Sequence, residues 1–219
     1  MNTPTLTIDV VSDLVCPWCY IGKRKLEAAL ALPEADELPN VRVRWHPFQL
    51  NPELPAQGVP RQQYLEAKFG GPQQAAEIYD RVRTAGSTVG LTLNLDGIQQ
   101  QPNTLAAHAL IAFAQAGDFD VSDVQERLLR AYFVENRFIG DLNVLANIAA
   151  EAGLNSEDAR AFVSDPEHLE AVAQADARVR RMGITGVPFF IFNQRLTVSG
   201  AQDPATLLGA MQQAVTSPR

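Results

Sequence analysis

Hydrophobic positions along this chain change their spacing twice, from short apolar runs to helical periodicity and back. Leu6-Thr7-Ile8-Asp9-Val10-Val11 is short and rich in β-branched residues, which predicts a buried strand. Leu26, Ala29 and Leu30 then recur at helical spacing until Pro33 stops the run. Val41-Arg42-Val43-Arg44-Trp45-His46 alternates strictly between apolar and polar, predicting an edge strand with one covered face. Arg42 and Arg44 read there as a solvated edge that discourages pairing with another chain. Strand, helix and strand at this spacing make a βαβ unit with parallel strands and a right-handed crossover.

Pro47, Pro52, Pro55 and Pro60 mark the following segment as a linker and a domain boundary. From Pro60 to about Met182 the pattern is almost all helical. Residues 72–89 carry Ala75, Ile78, Tyr79, Val82 and Val89 before Gly90, and residues 103–116 are apolar nearly all round, as a buried helix would be. Ser122 with Gln125 resembles a capping box opening a helix through Leu128, Leu129, Tyr132 and Phe133, and residues 141–152 end at Gly153. Asp165-Pro166 opens the last long helix, whose final turns hold Arg178, Arg180 and Arg181 where the helix dipole favours cations. Gly183-Ile184-Thr185-Gly186-Val187-Pro188 then breaks the pattern. Phe189-Phe190-Ile191-Phe192 reads as a buried strand joined through Asn193-Gln194-Arg195 to Leu196-Thr197-Val198 in a hairpin, and Asp203-Pro204 opens a closing helix through Leu207, Leu208 and Met211. The ends of the chain are α/β and the middle is α. Residues 1–55 with 183–219 form one expected domain and 56–182 an inserted helical one.

The chemistry concentrates at the first strand–helix junction, Asp13-Leu14-Val15-Cys16-Pro17-Trp18-Cys19-Tyr20, which holds both cysteines. Cys16 falls near the N-cap and Pro17 at the first helical position, where a missing N–H costs nothing. Unpaired backbone N–H groups and the positive end of the dipole favour an anion beside them, so a thiolate, the species that attacks disulfides, is expected on Cys16. Residues three apart on a helix lie about 5 to 6 Å apart, so the pair can close reversibly. Cys19 shares a face with Leu26 and Leu30 and should point inward, leaving Cys16 at the exposed tip. That gives an attacking and a resolving thiol. The competing reading is half a zinc site, but there is no second CxxC, and His46 and His108 have no recognisable ligand spacing.

Composition narrows the function classes. At 219 residues the chain can bury a core without staples, and 46% hydrophobic with 20% charged residues is an ordinary globular balance. No apolar run reaches the roughly 18 residues of a membrane helix. A net charge of −7 argues against a nucleic-acid or anionic-membrane partner. Met1-Asn2-Thr3-Pro4-Thr5 lacks a basic region followed by an apolar stretch, so no secretory signal is expected and the cytoplasm is the expected compartment. In a reducing compartment such a cysteine pair is more often catalytic or metal-binding than structural.

Cys16-Pro17-Trp18-Cys19-Tyr20-Ile21-Gly22, Arg44-Trp45-His46-Pro47-Phe48-Gln49-Leu50-Asn51-Pro52, Asn103-Thr104 with Ala107-His108, and Gly186-Val187-Pro188 with Ser199-Gly200-Ala201-Gln202 resemble the FrnE-like branch of the DsbA family in the thioredoxin superfamily. The resemblance spans nearly the whole chain. It implies an α/β thioredoxin-like fold, a mixed sheet from βαβ plus a C-terminal ββα, with a large all-α insertion. It also implies thiol–disulfide oxidoreductase or isomerase chemistry on protein or small-molecule disulfides and thiols, with no permanently bound cofactor and no metal. That branch is related to 2-hydroxychromene-2-carboxylate isomerases, which use glutathione and usually carry serine where this chain has Cys16. The alternative is therefore a glutathione-dependent isomerase or transferase acting on a small aromatic or polyketide-like molecule, with glutathione as co-substrate. The likeness implies a cis Val187–Pro188 bond facing the CxxC, with the Val187 backbone free to pair with an extended substrate and Trp18 shaping its approach. His108, with Asn103 and Thr104 at its helix start, either faces the dithiol in a substrate pocket or is a satisfied core histidine. Val10 stands where many relatives carry a buried acid, and Asp9 or Asp13 would reach the resolving thiol only from another direction.

Overall fold

The computed structural model describes residues 5–117 and 119–216, so most of the N-terminal stretch read above for a secretory signal lies outside it. Strand β1 (Thr5–Ser12) leads into helix α1 (Pro17–Leu30) and strand β2 (Asn40–Pro47). After the helical middle come the hairpin β5 (Phe189–Phe192) and β6 (Leu196–Ser199) and the closing helix α9 (Pro204–Thr216). The sheet runs β2-β1-β5-β6. β1 pairs with β2 in parallel, from Thr5 opposite Asn40 to Ser12 opposite Pro47, and with β5 antiparallel, from Ile8 opposite Phe192 to Val11 opposite Phe189. With neighbours on both sides, β1 is the most buried strand: Leu6, Ile8, Val10 and Val11 are all within the core. The fold is thioredoxin-like, a mixed four-stranded sheet carrying an all-α insertion.

β2 is the edge strand its alternation predicts, but its polar face is not simply solvated. Arg44 lies beside Asp9 in the parallel register, and its Nε and Nη2 donate to the two carboxylate oxygens at 2.7 and 2.9 Å. His46 Nε2 adds a contact at 2.8 Å. Burial alone would raise the Asp9 carboxyl, but the hydrogen bonds and positive charge of His46 and Arg44 hold it below the usual carboxylate range. The open backbone edge is closed from the insertion: Trp45 N–H donates to Gln115 Oε1 at 2.7 Å, and Gln115 Nε2 donates to Trp45 C=O at 3.0 Å. A side-chain amide stands in for a fifth strand.

Between β2 and β5 the insertion comprises α2 (Arg61–Phe69), α3 (Pro72–Ser87), α4 (Leu105–Ala116), α5 (Val121–Phe133), α6 (Leu142–Glu151), α7 (Ser156–Ser164) and α8 (Pro166–Arg181). A two-residue ribbon, β3 (Val59–Pro60) with β4 (Gln100–Gln101), ties its entry to the loop before α4. Four helices open on an acidic or amide cap: Asp120, Asp141, Asn155 and Asp165 accept backbone N–H groups of the first turns of α5 to α8. The expected capping box at Ser122 is displaced by Asp120, whose carboxylate already takes Ser122 N–H at 3.0 Å. Gln125 is thereby released inward, fully buried, and donates to Ser12 Oγ at 3.1 Å. The C-terminal hairpin turns through the three residues Asn193-Gln194-Arg195, with Asn193 and Gln194 at positive φ (49° and 58°) and Arg195 N–H donating to Phe192 C=O at 3.0 Å. Asn193 Oδ1 accepts Thr7 N–H at 3.0 Å, locking that turn to β1.

Candidate active site

Cys16 is the N-cap of α1 with extended backbone (φ −95°, ψ 111°), and Pro17 occupies the first turn. No side chain caps this helix and no acidic residue sits in its first turn. The positive end of the dipole is thus left to the Cys16 sulfur. The expected exposed tip is corrected: Cys16 is only 5% exposed, because the Val187–Pro188 segment folds over it, and its thiol donates to Val187 C=O at 3.7 Å. The exposed group beside it is Trp18, at 40%. Cys19, one turn on, is buried as its helical face predicts, and its sulfur accepts the backbone N–H of Asp13 at 3.4 Å. Burial, the hydrogen bond to Cys16 and the negative charge close by push the Cys19 thiol well above its ordinary range. Both cysteines are free thiols. The two sulfurs therefore sit in unequal surroundings.

The Val187–Pro188 bond is cis, and Pro188 is buried against α1. The contact depends on Gly22, a residue singled out in sequence only as part of a motif. A Cβ there would stand 2.9 Å from Pro188 Cγ and 3.4 Å from Phe190 Cζ. The signal for it was available: glycine inside a helix costs about 0.8–1.0 kcal/mol relative to alanine and asks for a packing reason. Pro188 C=O accepts Gly200 N–H at 2.8 Å, fastening the loop from the hairpin side.

Asp13 is the residue whose importance sequence reasoning understated. It is completely buried. Its Oδ2 accepts Leu50 N–H at 2.7 Å, and its Oδ1 lies 3.3 Å from His108 Nε2. His108 thus faces neither sulfur directly but the carboxylate of the residue that touches Cys19. Asn103 is spent on the scaffold: its Oδ1 accepts Gln49 Nε2 and Leu105 N–H at 2.9 Å each, and its Nδ2 donates to Leu54 C=O at 2.7 Å. Val10 is a buried aliphatic and carries no proton. The histidines weighed as metal ligands are engaged elsewhere, His46 with Asp9 and His108 with Asp13.

Behind this site a cavity of about 640 Å³ runs along β2 beneath α4, α5 and α8. All three histidines of the chain, His46, His108 and His168, line it, with Ser12 and Gln125 at its inner end.

The helix that holds the dithiol is anchored to the insertion through charge. Lys23, with its side chain only 2% exposed, donates to Glu126 Oε2 of α5 at 2.9 Å and also to Glu27. Tyr20 donates to Glu126 Oε1 at 2.6 Å, and Arg24 reaches the same oxygen.

The comparisons with known proteins agree with this geometry. A family model described as a DSBA-like thioredoxin domain matches residues 7–212. YwbO of Bacillus subtilis, itself described as uncharacterized, is 26% identical over 202 residues, 90% of this chain and 92% of that protein. Among solved structures, a probable DsbA oxidoreductase of Streptomyces coelicolor is similar with a TM-score of 0.84 and 29% identity, over 98% of this chain and 92% of that one. A 2-hydroxychromene-2-carboxylate isomerase shares the fold with a TM-score of 0.68 at 14% identity, over 97% of this chain and 100% of that one. With the family match running from β1 to α9 and enclosing the paired cysteines, the chain belongs to the DSBA-like thioredoxin domain family.

Proposed function

We propose that this chain is a cytoplasmic thiol–disulfide oxidoreductase in which Cys16 attacks and Cys19 resolves. The observation that carries the reading is the inequality of the two thiols: one caps a helix that has no other cap, and the other is buried with its proton held firmly. The Cys16 sulfur attacks a substrate disulfide, one substrate sulfur leaves as thiolate, and a mixed disulfide forms. Cys19 then attacks the Cys16 sulfur, the second substrate thiolate leaves, and the Cys16–Cys19 disulfide closes. Trp18, exposed beside Cys16, and the Val187 carbonyl on its other side flank the approach of an extended substrate. The likeness to a probable DsbA oxidoreductase at 29% identity supports the same chemistry.

The test separates the two roles. Cys19→Ser should accumulate covalent adducts through Cys16 when offered a protein disulfide, whereas Cys16→Ser should abolish both trapping and insulin reduction. Full activity in Cys16→Ser would end this reading.

A further inference from the structure

The cavity along β2 carries polar groups that the thiol chemistry does not use. Neither cysteine lines it, nor do Trp18, Val187 or Pro188, so a molecule lying there is not presented to a sulfur. Its buried end is formed by Ser12, Gln125 and His108, none more than 5% exposed and each with bonding capacity left over. Ser12 Oγ accepts Gln125 Nε2, which leaves the hydroxyl proton to donate and Gln125 Oε1 without a donor among the described residues. His108 Nε2 meets the Asp13 carboxylate and so carries the ring proton, which makes Nδ1 an acceptor. One donor and two acceptors are thus available at this end, a set that a hydroxyl group satisfies in both directions.

The exposed end is cationic. Alternation along β2 puts Arg42, Arg44 and His46 on one face of the strand, and all three line the cavity. Arg44 and His46 are committed to Asp9, but Arg42 makes no hydrogen bond or ion pair among the described residues. From α8, His168 contributes a ring stacked on Phe162 at 3.6 Å with its Nδ1 buried and unpartnered. A sealed nitrogen of that kind is better left as a lone pair than as an orphaned N–H, so the proton sits on Nε2, which can donate. Among the described residues the one carboxylate in the lining, Asp120, is spent capping α5. The apolar part of the lining is supplied chiefly by Ile111, Val121 and Val172. At about 640 Å³ the space is of the size that small-molecule sites have.

We propose that this cavity is a binding site for a small hydroxy acid, separate from the dithiol. Arg42 and His168 Nε2 hold the carboxylate at the exposed end, and the apolar body lies against Ile111, Val121 and Val172. The hydroxyl, at the buried end, accepts from Ser12 Oγ and donates to Gln125 Oε1 or His108 Nδ1. The site goes beyond the redox reading and stands without it, because none of these groups belongs to the thiol machinery.

The probe is 3-(4-hydroxyphenyl)propanoate, titrated into the reduced protein by calorimetry and by fluorescence in Trp18→Phe, where Trp45 of the cavity lining is the remaining tryptophan. Saturable binding at submillimolar concentration is expected by both. 3-Phenylpropanoate, which lacks the hydroxyl, and 4-ethylphenol, which lacks the carboxylate, should each bind about fivefold more weakly. Arg42→Glu, at an exposed position, should weaken the hydroxy acid about tenfold and leave 4-ethylphenol within about twofold. Ser12→Ala should weaken the hydroxy acid about fivefold and leave 3-phenylpropanoate within about twofold. Cys16→Ser with Cys19→Ser should bind the probe as wild type does; loss of binding there would assign the probe to the dithiol and overturn the proposal. So would absence of saturable binding at millimolar concentration, equal binding of the three compounds, or unchanged affinity in both Arg42→Glu and Ser12→Ala. Failure of the wild-type protein to reduce insulin would overturn the oxidoreductase reading and leave this one standing.

Discussion

Gly22→Ala is the substitution that most directly tests how the dithiol helix and the Pro188 loop are fitted together. Alanine in a helix interior is intrinsically better than glycine by about 0.8–1.0 kcal/mol. Here the added methyl would lie 2.9 Å from Pro188 Cγ and 3.4 Å from Phe190 Cζ. Neither neighbour yields easily: Phe190 is fully buried in β5, and Pro188 is fastened by Gly200 through its carbonyl. Overpacking a tight site costs about 1–3 kcal/mol, so the net expectation is a loss of about 0–2 kcal/mol in place of the gain that propensity alone gives. Relief by displacing the proline ring would carry the Val187 carbonyl away from the Cys16 sulfur, now 3.7 Å apart, and uncover the thiol. Urea unfolding of the reduced protein measures the first effect, and the rate of Cys16 labelling by monobromobimane measures the second. A variant about 1 kcal/mol more stable than wild type, with Cys16 labelling unchanged, would refute the argument.

Three other substitutions or titrations probe different parts of the frame. Glu126→Gln leaves the buried Lys23 ammonium with Glu27 as its remaining carboxylate and should cost about 2–3 kcal/mol, much of it recovered in the Lys23→Met, Glu126→Gln double variant; denaturant midpoints of the three proteins check this. Asp9 has its folded-state pKa lowered, so its contribution is present above the unfolded value near 3.8 and is lost as pH falls through the lower folded value. Acid unfolding of Asp9→Asn should therefore show a shallower loss of stability over that range than wild type, and parallel curves would sink the assignment. Because the Cys19 thiol is held protonated, alkylation of the reduced native protein at neutral pH, followed by peptide mass mapping, should find Cys16 modified first; the reverse order would exchange the assigned roles.

What was legible in the sequence was whatever is set by local pattern. β1, the alternating β2, the hairpin, and the proline-opened helices α1, α8 and α9 follow from periodicity and turn chemistry over a few residues. The pairing of Cys16 and Cys19 was legible for the same reason, since helix start and three-residue spacing fix it. Contacts made across the chain were not. Arg44 looks like a solvated edge residue until the parallel register puts Asp9 beside it. Gln115 looks like an ordinary polar residue near the end of α4, yet its amide completes the Trp45 backbone. The Ser122 capping box was a reasonable local reading that lost to a stronger competitor two residues earlier, and only then is Gln125 free to turn inward to Ser12. Cys16 was placed at an exposed tip because its cover, Val187, comes from 171 residues away.

These long-range contacts share a direction. Five polar residues on either side of the dithiol are held by side chains from the helical insertion: Ser12 by Gln125 of α5, Asp13 by His108 of α4, and Tyr20, Lys23 and Arg24 by Glu126 of α5. The loop carrying Gln49 and Leu50, whose N–H groups fix Asp176 and Asp13, is clamped by Arg180 of α8, which donates to Gln49 C=O and lies 4.1 Å over the Phe48 ring. Gln125 and Glu126 are adjacent on α5, so one turn of that helix touches the strand before the CxxC and the helix after it. A rotation of α5 would therefore disturb both sides of the cysteine pair together. The insertion is in this sense the wall against which the redox site is set, and substitutions on its inward faces should change the chemistry of Cys19 before they change the sheet.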